Sequence, residues 1–292
     1  MALSIAELLD KVVGREDVQT SINTMMTRQS AVGRVLDAVG NPMRTSLSSP
    51  TLAYSSLTDP VFSTWDNSAA KTSQSLVGDV GEVSASTAYA IVAYPLNYED
   101  DLAQFTQQFS LAMANGFAKY VDDRVINTAS IGIIPLASGV SNVYNSVTVS
   151  PTSYQLRTDL VNTMGLVLDD GYRVNGIVGE LGEEANVLNS VGENGLPVFI
   201  TDEVGAITRL VGKPYASTDI NLTNTARFVV GDWTKVTVGT YKKIEFRRFE
   251  SGSVNIGGTE YNLIERNMVA VVAEARMLFK VTVPAAFAYL RA

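Results

Sequence analysis

One stretch limits the architecture more than any other. From Asn97 to about Ala129 the chain carries an uninterrupted helical signal. Leu102, Phe105, Phe109, Met113, Gly116 and Tyr120 recur at spacings of three and four, which places them on one stripe of an α-helix. Gln104, Gln107, Gln108, Lys119, Asp122 and Asp123 fill the opposite side. Asn97 is a good N-cap, and Glu99, Asp100 and Asp101 sit at the positive end of the helix dipole. About 30 residues at 1.5 Å each give a rod of roughly 45 Å. Three or four turns is the usual length in a globular domain. The expectation is a beam across the molecule with other elements hung along it.

Two absences narrow the chemistry. The 292 residues contain neither histidine nor cysteine. Ser-His-Asp and Cys-His catalysis, thiolate metal sites, most zinc sites and disulfides are therefore excluded. A formal net charge of -8 disfavours tight phosphate binding, which needs clustered Lys and Arg. No apolar run approaches the roughly 20 residues of a membrane-spanning helix. Glu7 and Asp10 interrupt the apolar N-terminus, so it does not read as a signal peptide.

Ser4-Ile5-Ala6-Glu7 is a capping box, with Leu3 and Leu8 at the positions of a hydrophobic staple. Ile5, Leu8, Leu9 and Val12 form a short apolar stripe that ends at Gly14. Such a helix is unstable alone and must lean on something. Residues 15–50 alternate weak helical pieces with polar segments. They read as an extended arm, the alternative being a partly ordered tail.

Residues 60–95 read as a two-stranded excursion. Val61 to Trp65 is one strand and Ala85 to Tyr94 the other, with Tyr89, Ile91 and Ala93 on one face. Small and polar residues lie between them, and an isolated ribbon of this kind is marginal in water. It makes sense as an arm resting on another molecule. Ser150-Pro151 opens a second helix, with the stripe Leu156, Leu160, Met164, Val167 and Leu168 and a stop at Gly171. Asn175 to Gly179 reads as a short buried strand. A third helix follows, with Leu181, Ala185 and Leu188 inward. The alternation indicates a compact α/β unit over about 150–235. Strands dominate afterwards, at Val236 to Val238, Ile244 to Arg248 and Met268 to Val283, broken around Gly257-Gly258.

Several short stretches, in order, carry a resemblance. They are Gly116-Phe117-Ala118-Lys119-Tyr120-Val121-Asp122, Asn194-Gly195-Leu196-Pro197, Leu210-Val211-Gly212-Lys213-Pro214-Tyr215 and Val230-Gly231-Asp232-Trp233. The last is Asn267 to Phe287, with Glu274, Arg276 and Pro284-Ala285-Ala286-Phe287. Together they resemble the major capsid proteins of tailed bacteriophages, which share the Johnson, or Hong Kong ninety-seven, fold.

The resemblance implies an α+β chain in four parts. Residues 1–55 would be the N-arm with its short helix, and 56–96 the E-loop hairpin. Residues 97–149 and 236–283 would be the P-domain, with spine helix 97–129 and a long β-sheet. Residues 150–235 and 284–292 would be the A-domain, a central sheet flanked by helices. It further implies a non-enzymatic subunit that self-assembles, through hexamers and pentamers, into an icosahedral shell around double-stranded DNA. Assembly in the host cytoplasm follows, with a portal and decoration or separate scaffolding proteins as partners, and no cofactor, metal or membrane. The acidic balance fits a wall that does not hold DNA tightly. An encapsulin-type nanocompartment is the alternative.

Expected intersubunit contacts are Ile5, Leu8, Leu9 and Val12 of the first helix, and Trp65, Lys71, Tyr89 and Ile91 of the E-loop. A few relatives crosslink an E-loop lysine to a neighbour's Asn near a catalytic Glu. Lys71 would be that lysine, although no motif identifies the Asn or the Glu. Ser68-Ala69-Ala70-Lys71 has the spacing of a Ser-x-x-Lys acyl-enzyme motif, but its companion motifs are missing. Gly205 to Lys213 has the wrong spacing for a phosphate loop, and Pro214 replaces the magnesium-binding Ser or Thr. The pairs Asp100-Asp101, Asp122-Asp123, Asp169-Asp170 and Glu183-Glu184 read as caps and solvated faces, because adjacent helical residues point about 100° apart.

Overall fold

The computed structural model describes residues 24–44, 46–57, 78–98, 105–129, 131–135, 146–148, 156–188, 190 and 207–291. The first helix with Ile5, Leu8, Leu9 and Val12, the strand at 61–65 with Trp65, and Lys71 lie outside these residues.

Residues 24–29 are helical and lead into α1 (Ala31–Ala38). The two pieces pack so closely that a Cβ on Gly33 would stand 2.4 Å from the Thr27 carbonyl oxygen. Ala31, Val32, Val35 and Leu36 of α1 are fully buried. The expected extended arm therefore does not hold for residues 24–44, which are built into the centre of the molecule. The chain then runs beside a long strand, where Arg44 and Leu47 donate to Val238 and Thr240 carbonyls.

Strand β1 (Thr51–Leu57) pairs antiparallel with β2 (Gly78–Ser84). One residue later the chain enters β3 (Ser86–Pro95). Among the described residues the strand partner of β2 is β1, and β3 belongs to a different sheet; the 61–65 strand of the expected ribbon lies outside the described residues. Helix α2 (Phe105–Ile126) follows, about 33 Å of continuous rod. Its end falls at Ile126, three residues before the expected Ala129. Next come β4 (Ser146–Thr148), α3 (Leu156–Asp169), β5 (Gly176–Glu180), a short helix α4 (Glu184–Leu188), β6 (Arg209–Leu210), β7 (Lys213–Thr218) and β8 (Ala226–Gly231). The chain closes with β9 (Val236–Phe249), hairpin β10 (Ser253–Ile256) and β11 (Thr259–Asn262), β12 (Met268–Val281) and β13 (Phe287–Arg291).

Two main sheets result. The first has order β3-β12-β9 and is antiparallel throughout, with a bulge in β12 around Arg276. The second is six-stranded, with order β4-β13-β8-β5-β7-β6. Its central strands are buried on both faces, which is why they read as continuous apolar runs. Val178, Val229 and Phe287 point to the face that carries α1. Ile177, Phe228, Val230 and Leu290 point to the face that carries α3 and α4. Gly176 lies where a Cβ would meet Val35 at 2.4 Å and Trp233 at 2.7 Å, so α1 is seated directly on the sheet there.

Helix α3 keeps most of its expected stripe: Leu156, Leu160, Met164 and Val167 are buried, but Leu168 is exposed. Gly171, at φ 85, ends it as expected. The Gly171 and Tyr172 amides bond back to the Leu168 and Val167 carbonyls, the paired bonds of a Schellman cap. In α4 the expected inner face is reversed. Leu181, Ala185 and Leu188 are exposed, whereas Val187 is buried and Glu183 is held by Arg227 at 2.7 Å.

Candidate assembly surfaces and the buried seam behind them

The β3-β12-β9 sheet has one dry face and one open face. On the dry face Ala88, Ala273, Ala275 and Met277 pack with Met113, Ala114, Phe117, Ala118, Val121 and Val125 of α2. At the far end Tyr94 stacks within 4.7 Å of Phe105 and 6.0 Å of Phe109. On the open face the register aligns Tyr89 with Glu274, and Ile91 with Val272. Tyr89 is 71% and Ile91 52% exposed. These are the two described residues among the expected contacts, and the structure places them side by side, two residues apart, on one surface.

On β9 three basic residues are paired within the chain, with Arg247 and Lys242 on the face of Tyr89, and Arg248 on the other face, opposite buried Val271. Arg247 pairs with Glu274, Arg248 with Glu250, and Lys242 with Glu245 at 2.7 Å. The six-stranded sheet's helical layer also exposes aliphatic groups, with Val161 and Leu168 on α3 and Leu181 and Leu188 beside or on α4.

The base of the β1-β2 ribbon is fixed by one aromatic ring. Tyr54 lies opposite Gly81 in the register, and a Cβ on Gly81 would stand 2.7 Å from the Tyr54 hydroxyl. Lys280 Nζ of β12 sits 4.0 Å from the centre of that ring, a cation–π contact across the joint.

Sequence reasoning placed Asp122 on the solvated side of the long helix; the structure buries it. The buried stripe is Ala114, Phe117, Ala118, Val121 and Val125, while Gly116 is exposed. Asp122 Oδ1 accepts from Ser30 Oγ at 2.5 Å and from the Val32 amide at 3.1 Å. Its Oδ2 accepts from the Ala31 amide at 2.9 Å and from Thr218 Oγ1 at 2.8 Å. Ser30 Oγ in turn accepts from the Gly33 amide at 2.9 Å. The first three amides of α1 are thereby satisfied by two side chains, and a negative charge stands at its positive end. Burial pushes the Asp122 carboxyl above the usual carboxylate range, while these hydrogen bonds pull it down. The signal for this existed: 118, 121, 122 and 125 follow the i, i+3, i+4, i+7 pattern of one helix face.

The Val230 to Trp233 motif also has a structural meaning. Asp232 accepts from Asn175 Nδ2 at 2.7 Å and from the Thr234 amide at 3.1 Å. Asn175 Oδ1 accepts from the Trp233 amide at 2.8 Å. The exchange holds the fully buried Trp233 under α1, edge-on to Phe287 at 5.6 Å.

The model of the phage capsid family matches residues 11–292. The chain belongs to the phage capsid family. Its fold is similar to that of a solved structure from Mycobacterium phage Cain, at 17% identity over 90% of both chains and a TM-score of 0.68. It is similar also to one from Microbacterium phage Oxtober96, at 18% identity over 90% of both chains and a TM-score of 0.66. A third is the capsid of an empty GTA particle, at 16% identity over 88% of this chain and 89% of that one, with a TM-score of 0.59. No curated protein matches the sequence. This phage capsid protein thus has the α+β Johnson-type fold and is a major capsid structural subunit, and the encapsulin reading gains no support.

Proposed function

We propose that copies of this capsid protein close into an icosahedral shell of hexamers and pentamers, using the open face around Tyr89 and Ile91 as a subunit contact. The observation that carries the reading is this pair of large apolar side chains, 71% and 52% exposed, on a sheet whose other face is dry core. An apolar patch of this kind on a folded subunit marks an interaction surface. Identical patches can be reused around each axis of a closed assembly. Trp65 and Lys71 of the E-loop, and Ile5, Leu8, Leu9 and Val12 of the first helix, supply further contacts. The shell encloses double-stranded DNA without reading its sequence. The formal net charge of -8 and the pairing of Arg247, Arg248 and Lys242 with carboxylates support this, since those three cations are already held within the chain. The subunit carries out no turnover. It assembles in the host cytoplasm with a portal and with separate scaffolding or decoration proteins.

The test is the double variant Tyr89→Asp, Ile91→Asp. The subunit should keep its circular dichroism spectrum and lose its shells in electron micrographs. Shells formed at the parental yield would defeat the proposed contact. A Lys71 crosslink would appear as an SDS-resistant ladder that Lys71→Ala abolishes.

A further inference from the structure

Asp122 gathers three parts of the chain that lie far apart in sequence. Its own element is α2, two main-chain amides and the Ser30 hydroxyl come from the start of α1, and the Thr218 hydroxyl comes from the end of β7. The bond to Thr218 spans 96 residues. It belongs to a row. Arg34 of α1 donates to the Ser217 carbonyl at 2.7 Å. Asn127, just past α2, donates to the Asn221 carbonyl at 2.8 Å and accepts from the Thr223 amide at 3.0 Å. Lys119 pairs with Asp219 at 2.5 Å. Every one of these links reaches the stretch 217–223, where β7 leaves the six-stranded sheet.

That stretch is followed by a turn in which Asn224 and Thr225 hold φ of 57° and 54°. A β-branched residue in the left-handed region is strained, so the turn is held by its surroundings. The apolar contacts between α2 and the sheet are non-directional and tolerate small sliding movements. Hydrogen bonds weaken steeply when their angles change. The polar row therefore adds the directional restraint between α2 and the sheet to the packing that α1 provides, and Asp122 is its buried member.

We propose that Asp122, through Thr218, is the joint that fixes the angle between the long helix α2 and the six-stranded sheet, and so the curvature with which subunits assemble. The second half rests on the shell-building reading above. The Thr218 hydroxyl is the link to change, because its loss leaves the cap of α1 intact and removes only the tie to β7.

The chain lacks cysteine, so two labels can be placed cleanly. Spin labels on Asn115→Cys in α2 and Asn162→Cys in α3, both exposed, report the angle in the dissociated subunit. Thr218→Val should broaden the distance distribution about twofold, and Thr218→Ser should restore it. Asn127→Ala, at the half-exposed end of the row, should broaden it less, and it keeps the test open if Thr218→Val does not fold. Shells of Thr218→Val should show mixed diameters in electron micrographs, and those of Thr218→Ser a single one. Distances as sharp as the parent's in Thr218→Val and Asn127→Ala would overturn the joint. Broadened distances with shells of unchanged diameter would overturn its control of curvature. If the parent itself forms no shells, the shell-building reading fails, and the label distances still decide the joint.

Discussion

At the scale of single residues, Asp122 decides the most. Asp122→Ala would leave two main-chain amides and two hydroxyls without an acceptor in the core. The expected cost is about 2–4 kcal/mol, read as a lower urea midpoint. The pH dependence has a definite sign. Burial raises the folded carboxyl above its ordinary 3.8, so the folded chain holds a proton where the unfolded chain has lost it. The contribution of Asp122 is then fully present below 3.8 and declines as the pH rises through the folded value. The stability gap between the parent and Asp122→Asn should be wider just below that pH than at neutrality. A gap that widens toward neutrality would contradict a raised carboxyl. Gly171 offers a smaller effect. At φ 85 an alanine is strained, and Gly171→Ala should cost about 1 kcal/mol in thermal or urea unfolding.

Among the elements, α1 has the least freedom. It has eight residues, too few for a stable isolated helix, and persists because Asp122 completes the N-terminal cap that Ser30 begins and because β5 and β7 supply its seat. Gly176→Ala would drive a methyl into Val35 and Trp233, both buried. A loss of about 1–3 kcal/mol is expected, and Val35→Ala in the same chain should recover part of it if the clash is the cause. The ribbon β1-β2 behaves differently. Lys280 of β12 over the Tyr54 ring is one of its ties to the rest of the fold. Replacing Tyr54 with Ala should leave the folded subunit's circular dichroism unchanged and increase amide exchange in β1 and β2.

For the molecule as a whole, the two sheets share one continuous core that runs from α2 through α1 to Val229 and Trp233. The outer stretch of the E-loop is poor in large apolar side chains. Asp66 to Ser75 offers mostly Ser, Ala, Thr, Asp and Asn, and burying such residues returns little at about 25 cal/mol per Å². Replacing residues 67–77 with a short Gly-Ser linker should leave the subunit's melting temperature nearly unchanged and abolish stable shells. Outright unfolding, or shells as robust as the parent's, would refute this. Replacing Leu8 and Leu9 with Asp should likewise lower shell yield while the subunit stays folded, because charge would enter the apolar contact proposed for the first helix.

Features that depend on neighbours within a turn or two were legible in the order of residues. The end of α3 at Gly171, the buried strand after Asn175 and the presence of the long helix α2 follow from chain stiffness, capping and periodicity, all local properties. So did the family resemblance, because its short motifs mark tight sites such as Asp232 and Trp233. Folding in three dimensions settled which strand pairs with which, and which of two apolar phases of α2 faces inward. Ala85 to Tyr94 had the alternation of a ribbon strand, yet its hydrogen-bonding edge was taken by β12, nearly two hundred residues later. Residues 24–44 looked like an arm because their helices are short and Ser30 alone caps α1 only in part. The missing cap is Asp122, a carboxylate 92 residues from Ser30, and a group at that distance acts on a helix terminus only once the chain has folded around it.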